Sequence, residues 1–204
     1  MKRILIITLA LLILCLTAAC GQNKDDANVG SWSITESTEI TADAQEACDK
    51  AMEGLIGVDY TPVALLGTQL VSGTNFCILC EATAVYPDAQ PYLALVYIYA
   101  DLQGNAKVSG VIALDPGSIL ESGIIQNSQA QSGMLGGWKV DREGSVYTEG
   151  AVMHLASQMV SGTNHCVLCS GWNLTFVYEN LEGTTEVLRT VPLEIGVLAQ
   201  LAEQ

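Results

Sequence analysis

Between residues 42 and 55, apolar side chains recur at steps of three and four: Ala44, Ala47, Cys48, Ala51, Met52 and Leu55. Asp43, Glu46, Asp49, Lys50 and Glu53 fill the positions between them. This is the period of an amphipathic helix. Thr41 stands where an N-cap is wanted, with Asp43 in the first turn, and Gly57 is the expected C-cap. Before it, Ser31-Trp-Ser-Ile-Thr alternates apolar and polar, which predicts a short strand with Trp32 and Ile34 on one face. After it come four predicted strands, at about 61–70, 74–86, 92–100 and 107–114. They are separated by turn material at Ser72-Gly73, Pro87 to Pro91, and Leu102 to Asn105. In the second of these strands Phe76, Ile78, Cys80, Ala82 and Ala84 share a face by the two-residue period. The small residues among them leave room for the helix. The pattern predicts an α+β layer pair, an antiparallel sheet wrapping one helix.

The pattern then repeats. Gln69-Leu-Val-Ser-Gly-Thr-Asn-Phe-Cys-Ile-Leu-Cys80 returns as Gln158-Met-Val-Ser-Gly-Thr-Asn-His-Cys-Val-Leu-Cys169, with nine of twelve positions identical at an offset of 89 residues. A match this dense is the signature of internal duplication. Trp138-Lys-Val140 echoes Trp32-Ser-Ile34, and further strands are predicted at 146–159, 163–169, 174–178 and 186–195. Residues 31–115 and 137–204 are therefore read as two related domains. The Gly-, Ser- and Gln-rich segment 116–136 is read as a linker. The second unit has no room for the long helix, so the sheet face bearing Val167 and Cys169 needs another cover. Residues 119–125 or a C-terminal helix at 197–201 are expected to supply it.

Lys2-Arg3, an apolar run from Ile4 to Leu16 and Thr17-Ala18-Ala19 before Cys20 form a signal peptide, residues 1–19. Thirteen apolar residues fall short of the roughly 20 that a spanning helix needs. Leu16-Thr-Ala-Ala-Cys20 resembles the lipobox of bacterial lipoproteins, which implies lipidation of Cys20 and an exported protein held on the extracytoplasmic side of a membrane. Thr17 departs from the usual Leu of that motif. Residues 20–30 read as a polar tether. The chain from Cys20 onward carries six Lys and Arg against 22 Asp and Glu, a net charge of 6 − 22 = −16. With no basic cluster, nucleic acid is excluded as the expected partner.

Thr68-Gln-Leu-Val-Ser-Gly-Thr-Asn75 resembles the central signature of the cystatins, Gln-x-Val-x-Gly followed by Thr-Asn. The order of elements around it matches that family over about Gly30 to Asp115, and over Gly137 to Ile195 without the helix. The resemblance implies a tandem cystatin-like protein that inhibits papain-like cysteine proteases by placing an apolar wedge in the active-site cleft. The wedge would comprise Val29 and Gly30, then the hairpin Gln69, Leu70, Val71, Ser72 and Gly73, then Leu102 of a second hairpin. A neutral, rigid tip with a glycine enters a cleft at low desolvation and entropy cost. Two departures stand out: the second hairpin lacks the bulky anchor usual in the family, and its counterpart in the second unit, Leu181-Glu182-Gly183, carries a carboxylate. The second-copy motif Gln158, Met159, Val160, Ser161 and Gly162 is thus the weaker candidate. The alternative is a cell-surface binding or scaffold module with the same fold and no inhibitory activity.

Cys77/Cys80 and Cys166/Cys169 have the Cys-x-x-Cys spacing of zinc or redox sites, but they lie in strand-like sequence, where positions i and i+3 point to opposite faces. Packing is the expected role of Cys48, Cys80 and Cys169. Cys77 and Cys166 face the other way, open to an inter-unit disulfide or an apolar contact between units. His154 and His165, the only histidines, have no sequence context for nucleophilic catalysis. No metal, cofactor or enzymatic activity is expected.

Overall fold

The computed structural model describes residues 29–126, 137–146 and 148–203. The predicted signal peptide, the lipidation cysteine Cys20 and most of the tether lie outside them. So do residues 127–136 of the expected linker. Among the described residues, two antiparallel five-stranded sheets and three helices make an α+β fold.

Sheet 1 is the meander β1 (Trp32–Ile34), β2 (Val58–Val71), β3 (Gly73–Ala84), β4 (Tyr92–Asp101) and β5 (Ala106–Leu114), in sequence order. Sheet 2 is β6 (Lys139–Val140), β7 (Ala151–Met159), β8 (Thr163–Cys169), β9 (Asn173–Glu179) and β10 (Thr185–Pro192), again in order. Helix α1 (Ala42–Met52) follows β1, α2 (Pro116–Ser122) follows β5, and α3 (Ile195–Ala202) follows β10.

Helix α1 starts where expected: the Thr41 side chain accepts from Ala44 N at 3.3 Å and Asp43 sits in the first turn. It stops earlier than expected. Gly54 takes the left-handed conformation that follows a helix end, so Leu55 is half exposed, and the Gly57 carbonyl instead accepts from Val85 N at the start of the sheet. Ala44, Ala47, Cys48 and Ala51 are buried against Phe76, Ile78, Cys80, Ala82, Val96 and Ile98. Small residues on the helix allow it to lie close to the pleated surface.

The opposite face of sheet 1 is equally apolar. Leu66, Cys77, Leu79, Leu95, Tyr97 and Ile112 pack on Leu155, Cys166, Leu168, Leu174 and Phe176 of sheet 2 in one continuous core. The layers are helix, sheet, sheet. The two units therefore share a core and are not two separately packed bodies. Cys77 and Cys166 take the apolar-contact alternative; both are free thiols, and burial pushes the Cys77 thiol up to about 12.

Three aromatic residues tie the layers together. The Trp172 indole, buried between the sheets, donates to Leu66 O at 2.7 Å. Tyr97 Oη donates to Ile195 O at 3.0 Å, anchoring α3. Trp32 stands edge-on to Tyr97. Trp172 reaches its partner from a left-handed backbone, φ 50°, in the three-residue turn Ser170-Gly171-Trp172 between β8 and β9.

The sheets repeat each other's pairing. Ser33 pairs with Thr68 as Lys139 does with Ser157, and the bulges at Val63 and Leu66 recur at Val152 and Leu155. The terminal helices cross over. Helix α3 packs on β5 and α2 on β10, each on the last strand of the other sheet. At the first crossing Gly110 admits Ala202, whose carbonyl oxygen would lie 2.5 Å from a Cβ on that glycine; at the second, Gly123 admits the Arg189 guanidinium.

Three expectations are corrected. Residues 119–125 and 197–201 do not cover Val167 and Cys169; Ile119, Ile125 and Leu198 close the core between the sheets. The strand expected from 146 begins at Ala151; residues 141–146 are a loop on the face that α1 covers in sheet 1. The last strand ends at Pro192 and not Ile195, since proline has no N–H for the ladder. The Glu194 carbonyl then accepts from Val197 N and Leu198 N to open α3.

The shared core predicts a single cooperative urea transition, followed by both tryptophan fluorescence and far-UV dichroism. Leu79→Ala is expected to cost about 2–5 kcal/mol, and Trp172→Phe about 1–2 kcal/mol through the lost buried hydrogen bond, with each variant still unfolding in one step.

Candidate functional site

The segments carrying Val29, Gly30, Gln69 to Gly73 and Leu102 meet at one end of sheet 1. An antiparallel meander requires this of its alternate turns, and β1 joins them because Trp32 pairs with Gln69. Gly30 N donates to Leu70 O at 2.9 Å, and Gln69 Nε2 donates to Gly30 O at 2.9 Å. Gly73 pairs with Asp101, the residue before Leu102.

The two amides of the repeat bond to each other, and the backbone at the tip is held from the neighbouring strand. Asn75 Nδ2 donates to Gln69 Oε1 at 2.6 Å across the strand pair, and Tyr99 Oη donates to Ser72 O at 3.0 Å. Gly73 has φ 149°, and a Cβ there would lie 2.3 Å from Ala100 O. No other residue fits without moving β4.

The second turn is built on Asp101. Its Oδ1 accepts from Gln103 N at 2.9 Å and Asn105 N at 2.8 Å, and its Oδ2 accepts from Asn105 Nδ2 at 2.8 Å. These bonds, the Asn105 side chain first, hold the Asp101 carboxyl below the usual range. From behind, Lys50 Nζ donates to Gly104 O at 2.9 Å while pairing with Glu46 at 2.6 Å, which lowers the Glu46 carboxyl. Both turns are thus fixed from within.

What the turns present is apolar and uncharged. Val29 is 74% exposed, Leu102 79% and Leu70 47%. Ser72 is exposed, while Gln69 and Val71 are half-buried and Gly73 is buried.

The equivalent end of sheet 2 is constructed alike. Asn164 Nδ2 donates to Gln158 Oε1 at 2.8 Å, Tyr178 Oη donates to Ser161 O at 3.3 Å, and a Cβ on Gly162 would meet Glu179 O at 2.3 Å. Asn180 replaces Asp101 and accepts from Glu182 N and Thr184 N. Met159, Val160 and Leu181 are exposed at the tips, with Glu182 beside Leu181.

In each Cys-x-x-Cys pair the first cysteine enters the core between the sheets and the second lies on the other face. Among the described residues no group of three or more His, Cys, Asp or Glu side chains is placed to hold a metal ion. None of their helices is long and apolar enough to cross a membrane.

Sequence reasoning missed one cluster. His154 and His165, both buried, bond to each other at 2.9 Å through Nε2 and Nδ1. The signal was present in the alignment of the repeats, where they stand at the positions of Leu65 and Phe76.

Comparison of the chain with family models, with curated proteins and with solved structures finds no match.

Gly73→Ala tests the hairpin geometry. It is expected to destabilise by about 1–3 kcal/mol, the cost of strained backbone or a displaced strand, read as a lower urea midpoint with m unchanged. Below pH 4, as Asp101 takes up its proton, the Gln103 and Asn105 amide signals are expected to shift upfield. Their hydrogen-bond acceptor weakens as the carboxylate is lost, a stabilisation present at higher pH and absent below the depressed pKa.

Proposed function

We propose that this is an exported, tandem cystatin-like protein, anchored through a lipid on Cys20, that inhibits papain-like cysteine proteases. Val29, Gly30, Leu70, Val71, Ser72 and Leu102 of the first unit form the wedge, and Gln69 and Gly73 hold it in shape. The observation that carries the reading is the convergence of three uncharged segments, with exposed Val29, Leu70 and Leu102, on one end of one sheet. A proteolytic cleft is narrow and excludes water, so a tip without charges enters it at low desolvation cost. Internal hydrogen bonds at both turns reduce the entropy lost on binding. No covalent chemistry is involved; inhibition is occlusion. The second unit, with Glu182 beside Leu181 and no long helix, serves as a supporting layer.

A second reading is favoured by one observation. Gln69, Asn75, Gly73 and Tyr99 are all occupied in folding the hairpin, and the same bonds recur at Gln158, Asn164, Gly162 and Tyr178. The motif is then accounted for by hairpin folding alone, and the protein is a surface binding module with no protease target.

Titration of papain with the mature chain separates the two. Inhibition at micromolar protein or below, weakened about tenfold to a hundredfold by Leu70→Asp or Leu102→Asp with dichroism unchanged, is the outcome expected of the wedge. Full papain activity at that concentration removes the inhibitor reading.

A further inference from the structure

On the outer face of sheet 2, where sheet 1 carries α1, the loop of residues 141–146 lies against two buried imidazoles. The hydrogen-bond inventory of this site is restrictive. The Asp141 carbonyl accepts from His154 Nδ1, because a carbonyl cannot donate. His154 Nε2 is then the acceptor in the 2.9 Å contact, and His165 Nδ1 must be the donor. His165 Nε2 is left as a lone pair 3.3 Å from Glu179 Oε2. One added proton on His165 Nε2 satisfies every member of the chain, since that nitrogen then donates to the carboxylate. A second has only one place to go, His154 Nε2. There it would set two N–H groups head to head across 2.9 Å.

We propose that the His154–His165 pair is a pH-sensitive latch that holds residues 141–146 closed over sheet 2 and releases them in mild acid. Closed, the pair binds at most one proton; open, it binds two. This inference is independent of the protease-inhibitor reading.

The groups facing the pair are few. From the loop comes Asp141, whose carboxylate accepts from Gly144 N at 2.9 Å and Ser157 Oγ at 3.2 Å; its Oδ2 is 3.9 Å from His154 Nδ1. From β9 comes Glu179, and β8 contributes the thiol of Cys169 farther along the same face. The β10 residues opposite that face of β9 are Thr185, Val187 and Thr190, none charged. Arg142, the one cation of the loop, is engaged with Glu81 of sheet 1 at 3.2 Å. Gly144 lies against the His154 ring so closely that a Cβ would be 2.5 Å from Nδ1, which makes the imidazole part of the loop's seat. Burial, with the neighbouring His154 adding to it, holds the His165 pKa below its ordinary value. The sign follows from proton counting. The open form binds more protons below about pH 6.5, so closure weakens as pH falls, by about tenfold per unit for one extra proton.

Hydrogen exchange of the full-length protein in detergent, at pH 7.5 and 5.0 and corrected for intrinsic rates, tests the latch. Protection at 141–146 is expected to fall at least tenfold at pH 5.0 while β3 and β4 are unchanged. His154→Leu with His165→Phe, the residues sheet 1 uses at these positions, is expected to hold the loop equally at both values. Equal protection of the wild-type loop at the two pH values overturns the proposal, as does a pH-dependent loss that persists in the variant. Should the variant not fold, imidazole NMR of the wild type decides. Uptake of both protons above pH 6 with the loop still closed refutes the latch; at most one proton in the closed form upholds it.

Discussion

Sheet 1 is apolar on both faces and has one helix with which to cover them. The rest of the architecture answers that constraint. Helix α1, lined with alanines and Cys48, takes the face of Phe76, Ile78 and Cys80. The other face, with Leu66, Cys77, Leu79 and Tyr97, can be removed from water only by a surface of similar extent, and the matching face of sheet 2 is that surface. Trp172 fixes how the two layers meet, since its N–H is buried and the Leu66 carbonyl, raised at a bulge, accepts from it. The crossing of α2 and α3 onto each other's sheets then seals the margins of the core.

This arrangement separates the demands on the repeated motif. Its Cys-x-x-Cys half is core: Cys77 and Cys166 face one another's sheets, and their neighbours at i+3 look the other way. Its Gln-to-Asn half is a hairpin that closes on itself, with a glycine dictated by a carbonyl oxygen of the next strand. A motif so fully used in folding can be retained in both copies with no ligand at either. Any recognition must come from residues that the hairpin does not need, which are Leu70, Leu102 and Val29, the exposed apolar ones.

The elements of sheet 1 were legible because each has a strong local signal: helical spacing from Ala44 to Met52, and two-residue alternation through Phe76, Ile78 and Cys80 over strands punctuated by glycine and proline. Element ends were less so. Leu55 continues the apolar stripe by spacing, yet Gly54 ends the helix before it, and a three-position difference in the capping glycine turns a core residue into a surface one. The packing of one unit on the other was not legible. Nothing in a period of two says what covers the second face of a strand, and the apolar residues at 119–125 and 197–201 satisfy the pattern equally well on either side of sheet 2.

The most instructive difference between the copies lies at two positions. In sheet 1, Leu65 and Phe76 are buried under α1, and apolar side chains suffice because a helix needs no hydrogen bond from the surface it covers. In sheet 2 the cover is an irregular loop. The Asp141 N–H donates to Leu155 O and Gly144 N donates to the Asp141 carboxylate, but Asp141 O would be an unsatisfied acceptor on an apolar floor. His154 supplies the missing donor. It can do so while buried only if its other nitrogen is also satisfied, which requires a donor at the next position across the ladder, and His165 is that donor. The pair of histidines is thus the physical consequence of replacing a helix with a loop on the same sheet surface. The price of that solution is a buried site whose hydrogen bonds depend on protonation, where the first copy has none.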